Sequence, residues 1–343
     1  MTPDTAATPL PERYTRRVVE VRDAYAELVA DFRAGMLEPP RTLPPKYFYD
    51  AAGSQLFDAI CDTPEYYPTR LEAELLEGHA RAIIEHAGPG TLVELGSGTS
   101  RKTEYLLSAM AEREGQPHYV ANDVCEEILD EAGLRLLERF EGLTVDALCG
   151  DYMAALAGLE AVEGLSHGPR LFAFLGSSLG NFEDAEAVAL LGRIREVMRP
   201  GDHLLLGLDR VKPAHVLEAA YNDAAGITAA FNLNLLSVLN RELGADFDPD
   251  GFVHRAPFLP ERSRVEMHLV STRDQTVTVA EPEATLRMET GEIIRTEISR
   301  KFSRDMVDGL VTAAGLECAA EWSADDDWYS LFLLQPDERP AAS

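Results

Sequence analysis

The chain has 343 residues but few of the residue types that form disulfide or metal centres. Its four cysteines, Cys61, Cys125, Cys149 and Cys318, are too scattered to form a zinc-binding or thiol-exchange pair. Its eight histidines show no HxxxH or HxH spacing, so the sequence predicts no metal site. We therefore expect the cysteines to be small, buried apolar residues.

Long apolar runs and basic residues are also scarce. No segment is apolar for long enough to cross a bilayer, and residues 1–14 lack the apolar stretch of a secretory signal. Lys and Arg number 31 against 59 Asp and Glu, which gives a formal net charge of -28. Such a field repels nucleic acid and anionic membrane surfaces. We expect a cytoplasmic protein with neither nucleic acid nor membrane as a partner.

The most informative motif is a glycine turn between a predicted strand and a predicted helix. The strand ends in Glu94, the turn contains Gly96 and Gly98, and the helical pattern runs from Lys102 to Met110. A dinucleotide-binding turn needs a third glycine where this chain has Arg101. A carboxylate beside the turn repels a pyrophosphate but suits a cationic ligand such as S-adenosylmethionine. The alternative is an ordinary strand-to-helix turn.

From this turn onward, short apolar runs alternate with amphipathic stretches, which indicates a parallel sheet covered by helices on both faces. The predicted strands are 91–95, 118–121, 143–147, 171–175 and 203–208, and the helices between them are 101–112, 125–140, 152–160 and 183–197.

The alternation then stops. A single long helix is predicted over 212–240, followed by strands at 264–271, 276–280, 284–289 and 293–299, a helix at 303–315 and strands at 316–322 and 328–334. A helix followed by a final strand pair is how the sheet of class I methyltransferases ends. We predict an α/β fold of that class, a Rossmann-like doubly wound sheet with an inserted α+β substrate-binding domain.

This pattern divides the chain into two predicted domains and two tails. The predicted parts are a disordered tail at 1–12, a substrate domain of 13–70 plus 212–300, a cofactor domain of 71–211 plus 301–335, and a second tail at 336–343.

Polar residues follow the predicted strands at the edge where ligands bind open α/β sheets. Asp123 ends the second strand and can accept hydrogen bonds from both ribose hydroxyls. Asp151 and Tyr152 follow the third, where a carboxylate can accept the adenine amino group and a ring can stack. Each acid can instead cap the next helix. After the fourth strand, Asn181 ends a loop of small residues and offers a donor and an acceptor, or is simply a turn asparagine.

Several longer blocks carry a more specific signal. They are Leu43 to Asp50, Pro64 to Arg70, Glu94 to Ser100, Phe174 to Asn181, Tyr221 to Asn232, Arg264 to Met267 and Thr296 to Phe302. In these blocks the chain resembles the ergothioneine-pathway histidine N-alpha-methyltransferases, which form hercynine. The resemblance implies three methyl transfers from S-adenosylmethionine to the alpha-amine of L-histidine. We expect direct in-line transfer, without a metal.

The resemblance also implies roles for individual residues. The matching cofactor positions are Gly96, Lys102, Asp123, Asp151 and Tyr152, with Lys102 suited to the methionine carboxylate. The matching substrate positions are Tyr66, Gly176, Asn181, Tyr221, Met267, Glu297 and Ser299.

Within that substrate set, Asn181 and Tyr221 correspond to the carboxylate clamp, and Glu297 and Ser299 to the imidazole pair. Residues i and i+2 of a strand share a face, so both members of that pair can reach one ring. Tyr49 is implied as a proton relay through water, with Phe57 beside the amine. From residue type alone, the aromatic residues and Met267 are more typical of a core, and the Glu–Ser pair of an exposed strand face.

Two other functions remain open at this point. One is an N-methyltransferase for another free amino acid, such as tryptophan or tyrosine. The other is a non-catalytic module that binds S-adenosylmethionine. A nucleic-acid methyltransferase is disfavoured because an Asn/Asp-Pro-Pro-Tyr/Phe element is missing after the fourth strand. We expect a monomer that acts on a small molecule.

Overall fold

The computed structural model describes residues 11–20, 23–162, 165 and 168–337. In chain order its strands and helices are β1 (Tyr14–Val18), α1 (Ala24–Gly35), β2 (Arg41–Thr42), α2 (Ala51–Cys61), α3 (Tyr67–Ala87), β3 (Thr91–Leu95), α4 (Thr103–Glu114), β4 (His118–Asp123), α5 (Glu126–Arg139), β5 (Thr144–Cys149), α6 (Tyr152–Gly158), β6 (Arg170–Phe174), α7 (Asp184–Val197), β7 (His203–Asp209), α8 (Ala214–Ala220), α9 (Ile227–Leu243), β8 (Phe252–Arg255), β9 (Phe258–Leu259), β10 (Arg264–Ser271), β11 (Gln275–Val279), β12 (Ala284–Met288), β13 (Ile293–Arg300), α10 (Arg304–Ala313), β14 (Leu316–Ser323) and β15 (Tyr329–Pro336).

The larger sheet has the strand order β1-β5-β4-β3-β6-β7-β15-β14. Neighbours from β1 to β7 are parallel, and β15 is antiparallel to both β7 and β14. The strand order reverses between β3 and β6, which are adjacent although two strands separate them in sequence. In an open α/β sheet a ligand crevice forms at such a reversal, beyond the carboxyl ends of the strands.

Alternating residues of the central strands pack into two separate cores. Leu92 and Leu171 face a core shared with α3, α4 and α5, whereas Val93 and Phe172 face a core shared with α6, α7 and α10. Strands that are apolar on both faces require helices on both sides. This is the predicted doubly wound α/β arrangement, and the predicted fold class is confirmed.

A smaller unit is inserted between β7 and α10. Its sheet has the order β2-β13-β10-β8, with β9 paired to β10, and β11 and β12 form a separate hairpin. Residues of α1, α2, α8 and α9 share one hydrophobic core with this sheet and hairpin. The long segment before β3 and the insertion after β7 therefore pack together.

Three boundaries differ from the predicted division, which otherwise stays a prediction. The predicted substrate domain includes β1, but this strand pairs in parallel with β5 at the edge of the larger sheet. α3 runs without interruption through the predicted boundary at residues 70 and 71. Pro336, predicted to begin the tail, still pairs with Leu316. The predicted tails otherwise lie largely outside the described residues.

The single helix predicted over 212–240 is wrong, because α8 ends at Ala220 and α9 begins at Ile227. Gly226 has a φ of 74°, a left-handed conformation that stops a continuous helix. The Asp223 carboxylate accepts hydrogen bonds from the backbone N–H groups of Ile227 (2.9 Å) and Thr228 (2.7 Å). This break places Tyr221 at the end of a helix and not in its middle.

The predicted burial of the cysteines holds for Cys149, whereas Cys61, Cys125 and Cys318 are partly exposed. Among the described residues, no helix is both long and apolar enough to cross a membrane.

Candidate active site

The glycine turn connects β3 to α4 at the crevice between β3 and β6. Gly96 has a φ of 69°, and a Cβ atom there would lie 3.1 Å from the hydroxyl of Tyr152. The backbone N–H of Ser97 donates to the carbonyl of Asn122 at 2.8 Å, which joins the turn to β4. The turn thus needs glycine for its conformation and brings a predicted aromatic cofactor contact next to its backbone.

Glu94, which is expected to favour a cationic ligand, is bonded to two neighbouring hydroxyl groups of the protein. Its Oε2 accepts hydrogen bonds from Thr103 Oγ1 at 2.6 Å and from the Tyr119 hydroxyl. Burial raises the pKa of this carboxyl group to about 7, despite those two donors. The side chain ties α4 and β4 to the end of β3, so its observed contacts are structural.

Asp151 makes the helix-capping contact that its structural alternative predicted, whereas Asp123 bonds to the glycine turn and to the residue before α5 and does not cap that helix. Asp123 accepts from the N–H groups of Gly98 (2.9 Å) and Cys125 (3.1 Å), and Asp151 caps α6 by accepting from Ala154 N–H at 2.8 Å. A carboxylate has about four acceptor positions, so these bonds leave capacity for a ligand. The Asp123 contact also holds the glycine turn against the end of β4.

Tyr152 lies in an aromatic group at this edge of the sheet. Its ring centroid is 5.3 Å from that of Phe174 and 6.3 Å from that of Phe182. Burial raises the pKa of its hydroxyl to about 12, so this group stays neutral at physiological pH. The structure therefore brings Gly96, Asp123, Asp151 and Tyr152 to one edge of the sheet.

Lys102 makes an ion pair that the sequence did not predict. Its Nζ donates to Glu72 of α3, whose side chain is fully buried. Glu72 also accepts from the Gly176 N–H (2.8 Å) and the Tyr329 hydroxyl (2.7 Å). The Lys102 side chain keeps 25% of its surface exposed and thus retains donors for a ligand. The role of Glu72 could not be predicted from the sequence, because a glutamate in an amphipathic helix normally faces solvent.

Replacing Glu72 with alanine is expected to lower the free energy of unfolding by about 2–4 kcal/mol, because a buried acceptor for three donors is lost. Urea denaturation followed by circular dichroism measures this change. Glu74→Ala, at an exposed position on the same helix, is the matched control and should have little effect. Equal stability of the two variants would contradict the structural role of Glu72.

Two strands of the smaller unit carry the predicted imidazole pair. Glu297 and Ser299 are two residues apart on β13, and Met267 of β10 is the direct partner of Glu297 across the ladder. A register shift after Met267 accommodates the extra residue Thr296, whose hydroxyl donates to the Met267 carbonyl at 3.0 Å. Such bulges redirect side chains next to binding sites. Met267, Glu297 and Ser299 therefore share one surface.

Burial raises the pKa of the Glu297 carboxyl group to about 7, although the nearby positive charge of Lys301 lowers it in part. The group therefore exchanges its proton near neutral pH. Ser299 is joined to Tyr221, with 2.7 Å between the two hydroxyl oxygens. The break between α8 and α9 thus places Tyr221 against the strand that carries the imidazole pair.

A row of aromatic rings continues from Tyr221. We call the surface formed by these rings together with Met267, Glu297 and Ser299 the cleft. Tyr221 and Tyr66 have ring centroids 6.1 Å apart, Tyr66 and Phe57 6.3 Å, and Phe57 and Tyr49 5.6 Å, all with edge-to-face geometry. Phe231 closes the group at 5.8 Å from Tyr49. The faces of aromatic rings stabilise cations. Sequence reasoning gave Phe231 no role, although this residue lies in the Tyr221 to Asn232 block that carries the resemblance.

Tyr49 keeps 45% of its surface exposed, and its ring packs edge-on against Phe57 and Phe231. Desolvation by its surroundings, followed by the charge of Glu297, raises the pKa of its hydroxyl well above the usual range. Tyr49 is therefore a neutral hydroxyl able to pass a proton but a poor acceptor of one on its own.

The loop after β6 completes the site. Gly176 adopts a φ of 75°, and the position of its missing Cβ is 3.8 Å from the Lys102 ammonium. Asn181 ends a short 3-10 turn, where Gly180 packs directly on the backbone of Arg300. This contact fixes the predicted Asn181 beside β13, between the cofactor edge and the smaller unit.

A buried network of charges lies behind Tyr221 and Ser299. Lys301 Nζ donates to Tyr221 OH at 3.0 Å and to Ser299 Oγ at 2.8 Å, and it lies 2.8 Å from Asp209 Oδ2. Asp209 also pairs with Lys212. Sequence reasoning missed these three charged residues, although Asp209 does follow an apolar strand, as Asp123 and Asp151 do.

The residues at the end of β3 fit a nucleoside with a cationic centre. The Ser97 hydroxyl is buried in the glycine turn without a hydrogen-bond partner, and open space lies where a Cβ of Gly98 would be. A bound ligand would satisfy such a buried group. The neighbouring carboxylates suit ribose hydroxyls and oppose a phosphate. Among the described residues, no group of three or more His, Cys, Asp or Glu side chains is placed to hold a metal ion.

The sheet order, the glycine turn after β3 and the acids at successive strand ends define a class I methyltransferase. Residues 28–336 match the family described as histidine-specific methyltransferases dependent on S-adenosylmethionine. The chain belongs to this family, and the predicted resemblance is confirmed.

Individual relatives cover most of the chain. It is 45% identical over 302 residues to the histidine N-alpha-methyltransferase of Mycolicibacterium smegmatis, spanning 88% of this chain and 92% of that protein. The protein of the same name from Mycobacterium tuberculosis is 42% identical over 303 residues, spanning 88% and 93%. Ergothioneine biosynthesis protein 1 of Neurospora crassa is 31% identical over 336 residues, spanning 93% of this chain and 36% of that longer protein.

Proposed function

We propose that this protein transfers methyl groups from S-adenosylmethionine to the alpha-amine of L-histidine three times, giving hercynine for ergothioneine biosynthesis. The observation that carries the proposal is the grouping of polar and aromatic side chains around β13. A titratable carboxylate, Glu297, lies on one surface with Ser299, which is bonded to Tyr221, and this group faces an aromatic wall. Family membership and the two mycobacterial relatives supply further support.

On the cofactor side, Asp123 would accept hydrogen bonds from the ribose hydroxyls, and Asp151 with Tyr152 would hold the adenine. The backbone at Gly96 and the ammonium of Lys102 would hold the methionine end of S-adenosylmethionine. S-adenosylmethionine, when bound, supplies a methyl group already activated by the sulfonium. The contribution of the protein is then chiefly orientation and exclusion of water.

On the substrate side, Asn181 and Tyr221 would bind the carboxylate, and Glu297 and Ser299 the imidazole ring. A zwitterion held at both ends presents its amine to the wall of Tyr49 and Phe57. The amine must lose its proton before it can attack, and Tyr49 would pass that proton to water. The aromatic rings would then stabilise the growing methylammonium charge.

The direct test is mass spectrometry of the purified protein incubated with S-adenosylmethionine and an equimolar pool of amino acids. We expect histidine to gain three methyl groups before any other amino acid is modified. Methylation of tryptophan or tyrosine first would favour the alternative amino-acid specificity. Cofactor binding by calorimetry without any turnover would favour the non-catalytic module.

The pH dependence of histidine use follows from Glu297. Its carboxylate is the form that accepts the imidazole N–H, and with a pKa of about 7 this form grows as the pH rises from 6 to 8. The amide of a Glu297→Gln variant does not titrate. We therefore expect the ratio of the variant KM to the wild-type KM for histidine to increase over this range.

Steady-state kinetics at several pH values measure this ratio, and because both proteins are given the same substrate, the titration of histidine itself largely cancels. A ratio that stays constant between pH 6 and 8 would show that Glu297 does not contact the ring in its ionised form.

A further inference from the structure

The buried network behind the substrate hydroxyls contains more positive than negative charge. Lys301 and Asp209 are fully buried, and the Lys212 side chain is 1% exposed. The two ammonium groups share the single carboxylate of Asp209, and the Tyr67 hydroxyl that also donates to it (2.9 Å) is neutral. The network therefore carries one positive charge that its own members do not balance.

Uncompensated positive charge in the protein interior is unfavourable. In agreement, burial lowers the pKa of Lys212 to about 8, whereas the two lysines hold the pKa of Asp209 below its usual value although burial opposes this. Glu297 is near enough for Lys301 to lower its pKa, but burial keeps that pKa at about 7, so it supplies only part of a negative charge at neutral pH. An anion bound at the network would complete the balance.

The hydrogen bonds of Lys301 also restrict where the two hydroxyls can donate. Because its ammonium donates to both Tyr221 OH and Ser299 Oγ, neither hydroxyl proton can point toward it. The hydroxyls share one bond at 2.7 Å, so one of them donates to the other. The remaining proton is left for a partner in the cleft, and that partner must be an acceptor.

We propose that Lys301, held by Asp209 and supported by Lys212, is a positioning residue that makes the cleft select substrates with a free carboxylate. It acts through Tyr221 and Ser299 and does not touch the substrate itself. The inference rests on the proposed function, in which Tyr221 receives the carboxylate of the amino acid.

The test compares L-histidine with L-histidinamide, which keeps the imidazole and the amine but has a neutral amide in place of the carboxylate. Wild-type protein and Lys301→Met are assayed for methyl transfer to each. The variant retains a balanced Asp209–Lys212 pair. We expect the preference for histidine in kcat/KM to fall by about 10- to 100-fold, through a higher KM for histidine alone.

Matched controls separate this role from a general loss of structure. Lys46→Met changes a half-exposed lysine between β2 and α2 that pairs with Glu27, and it should leave the preference unchanged. Calorimetry should show unchanged cofactor affinity for Lys301→Met. Equal losses of kcat/KM on both substrates, or an unchanged preference in a folded variant, would overturn the proposal.

If Lys301→Met does not fold, Lys212→Met decides the question. It leaves the bonds of Lys301 to Tyr221 and Ser299 in place and removes the excess charge. We expect a smaller but measurable loss of preference, and an unchanged preference would overturn the proposal. Failure of the wild-type protein to methylate histidine would instead refute the proposed function, which keeps the two outcomes distinct.

Discussion

Replacing Glu297 with alanine is expected to raise the KM for histidine by about 10- to 100-fold, because the charge-assisted hydrogen bond to the imidazole ring is lost. Glu297 is partly buried on β13, so water replaces the lost partner only in part. Cofactor affinity should stay nearly unchanged. Glu297 belongs to the smaller unit, whereas the assigned cofactor acids lie at strand ends of the larger sheet.

Steady-state kinetics with varied histidine and calorimetry with S-adenosylmethionine measure the two effects separately. Glu289→Ala, which changes an exposed glutamate in the turn between β12 and β13, serves as the control and should leave both values unchanged. If Glu297→Ala weakens cofactor and histidine equally, the residue supports the cleft as a whole and does not recognise the ring.

The second large effect is expected for Asp123→Ala, which should weaken binding of S-adenosylmethionine by about 100-fold or more in the absence of histidine. The variant loses the acceptors proposed for two ribose hydroxyls. It also loses the bonds to the N–H groups of Gly98 and Cys125, which hold the glycine turn in place. Both losses weaken cofactor binding directly, whereas neither removes a proposed contact with histidine.

Calorimetry without any amino acid measures this effect directly. Asp123→Asn separates its two causes, since the amide oxygen still accepts from Gly98 N–H but has no charge for the ribose. We expect it to bind with intermediate affinity. Glu131→Ala, at an exposed position on the adjacent helix α5, is the control. Normal cofactor affinity in Asp123→Ala would remove Asp123 from the proposed site.

The predicted strands of the larger sheet agree with the structure to within about two residues, because each is a short apolar run bounded by turn residues. The prediction of a single helix over 212–240 is wrong, because Gly226 interrupts a pattern that is apolar on both sides of it. β1 was missed as part of the sheet, since a short polar-rich edge strand carries little periodic signal.

The acids at strand ends could be found from sequence because parallel strands necessarily bring their carboxyl ends to one edge. Glu72 could not, because its partner Gly176 is 104 positions away and nothing local distinguishes it from a solvent-facing glutamate. Lys301 sits within a motif that resembles the family, yet its contact with Tyr221, 80 positions away, is invisible in the motif.

The sequence by itself determined the class of fold, the glycine turn and the residue types offered to a cofactor, since these depend on periodicity and on conformational preferences of neighbouring residues. Only the tertiary structure decided which distant polar side chains meet. The packing of the insertion and the N-terminal segment onto the sheet brings Glu72 to Lys102, and Tyr221 to Ser299 and Lys301. Burying such groups is favourable only when they find these partners, and the partners are set by three-dimensional packing.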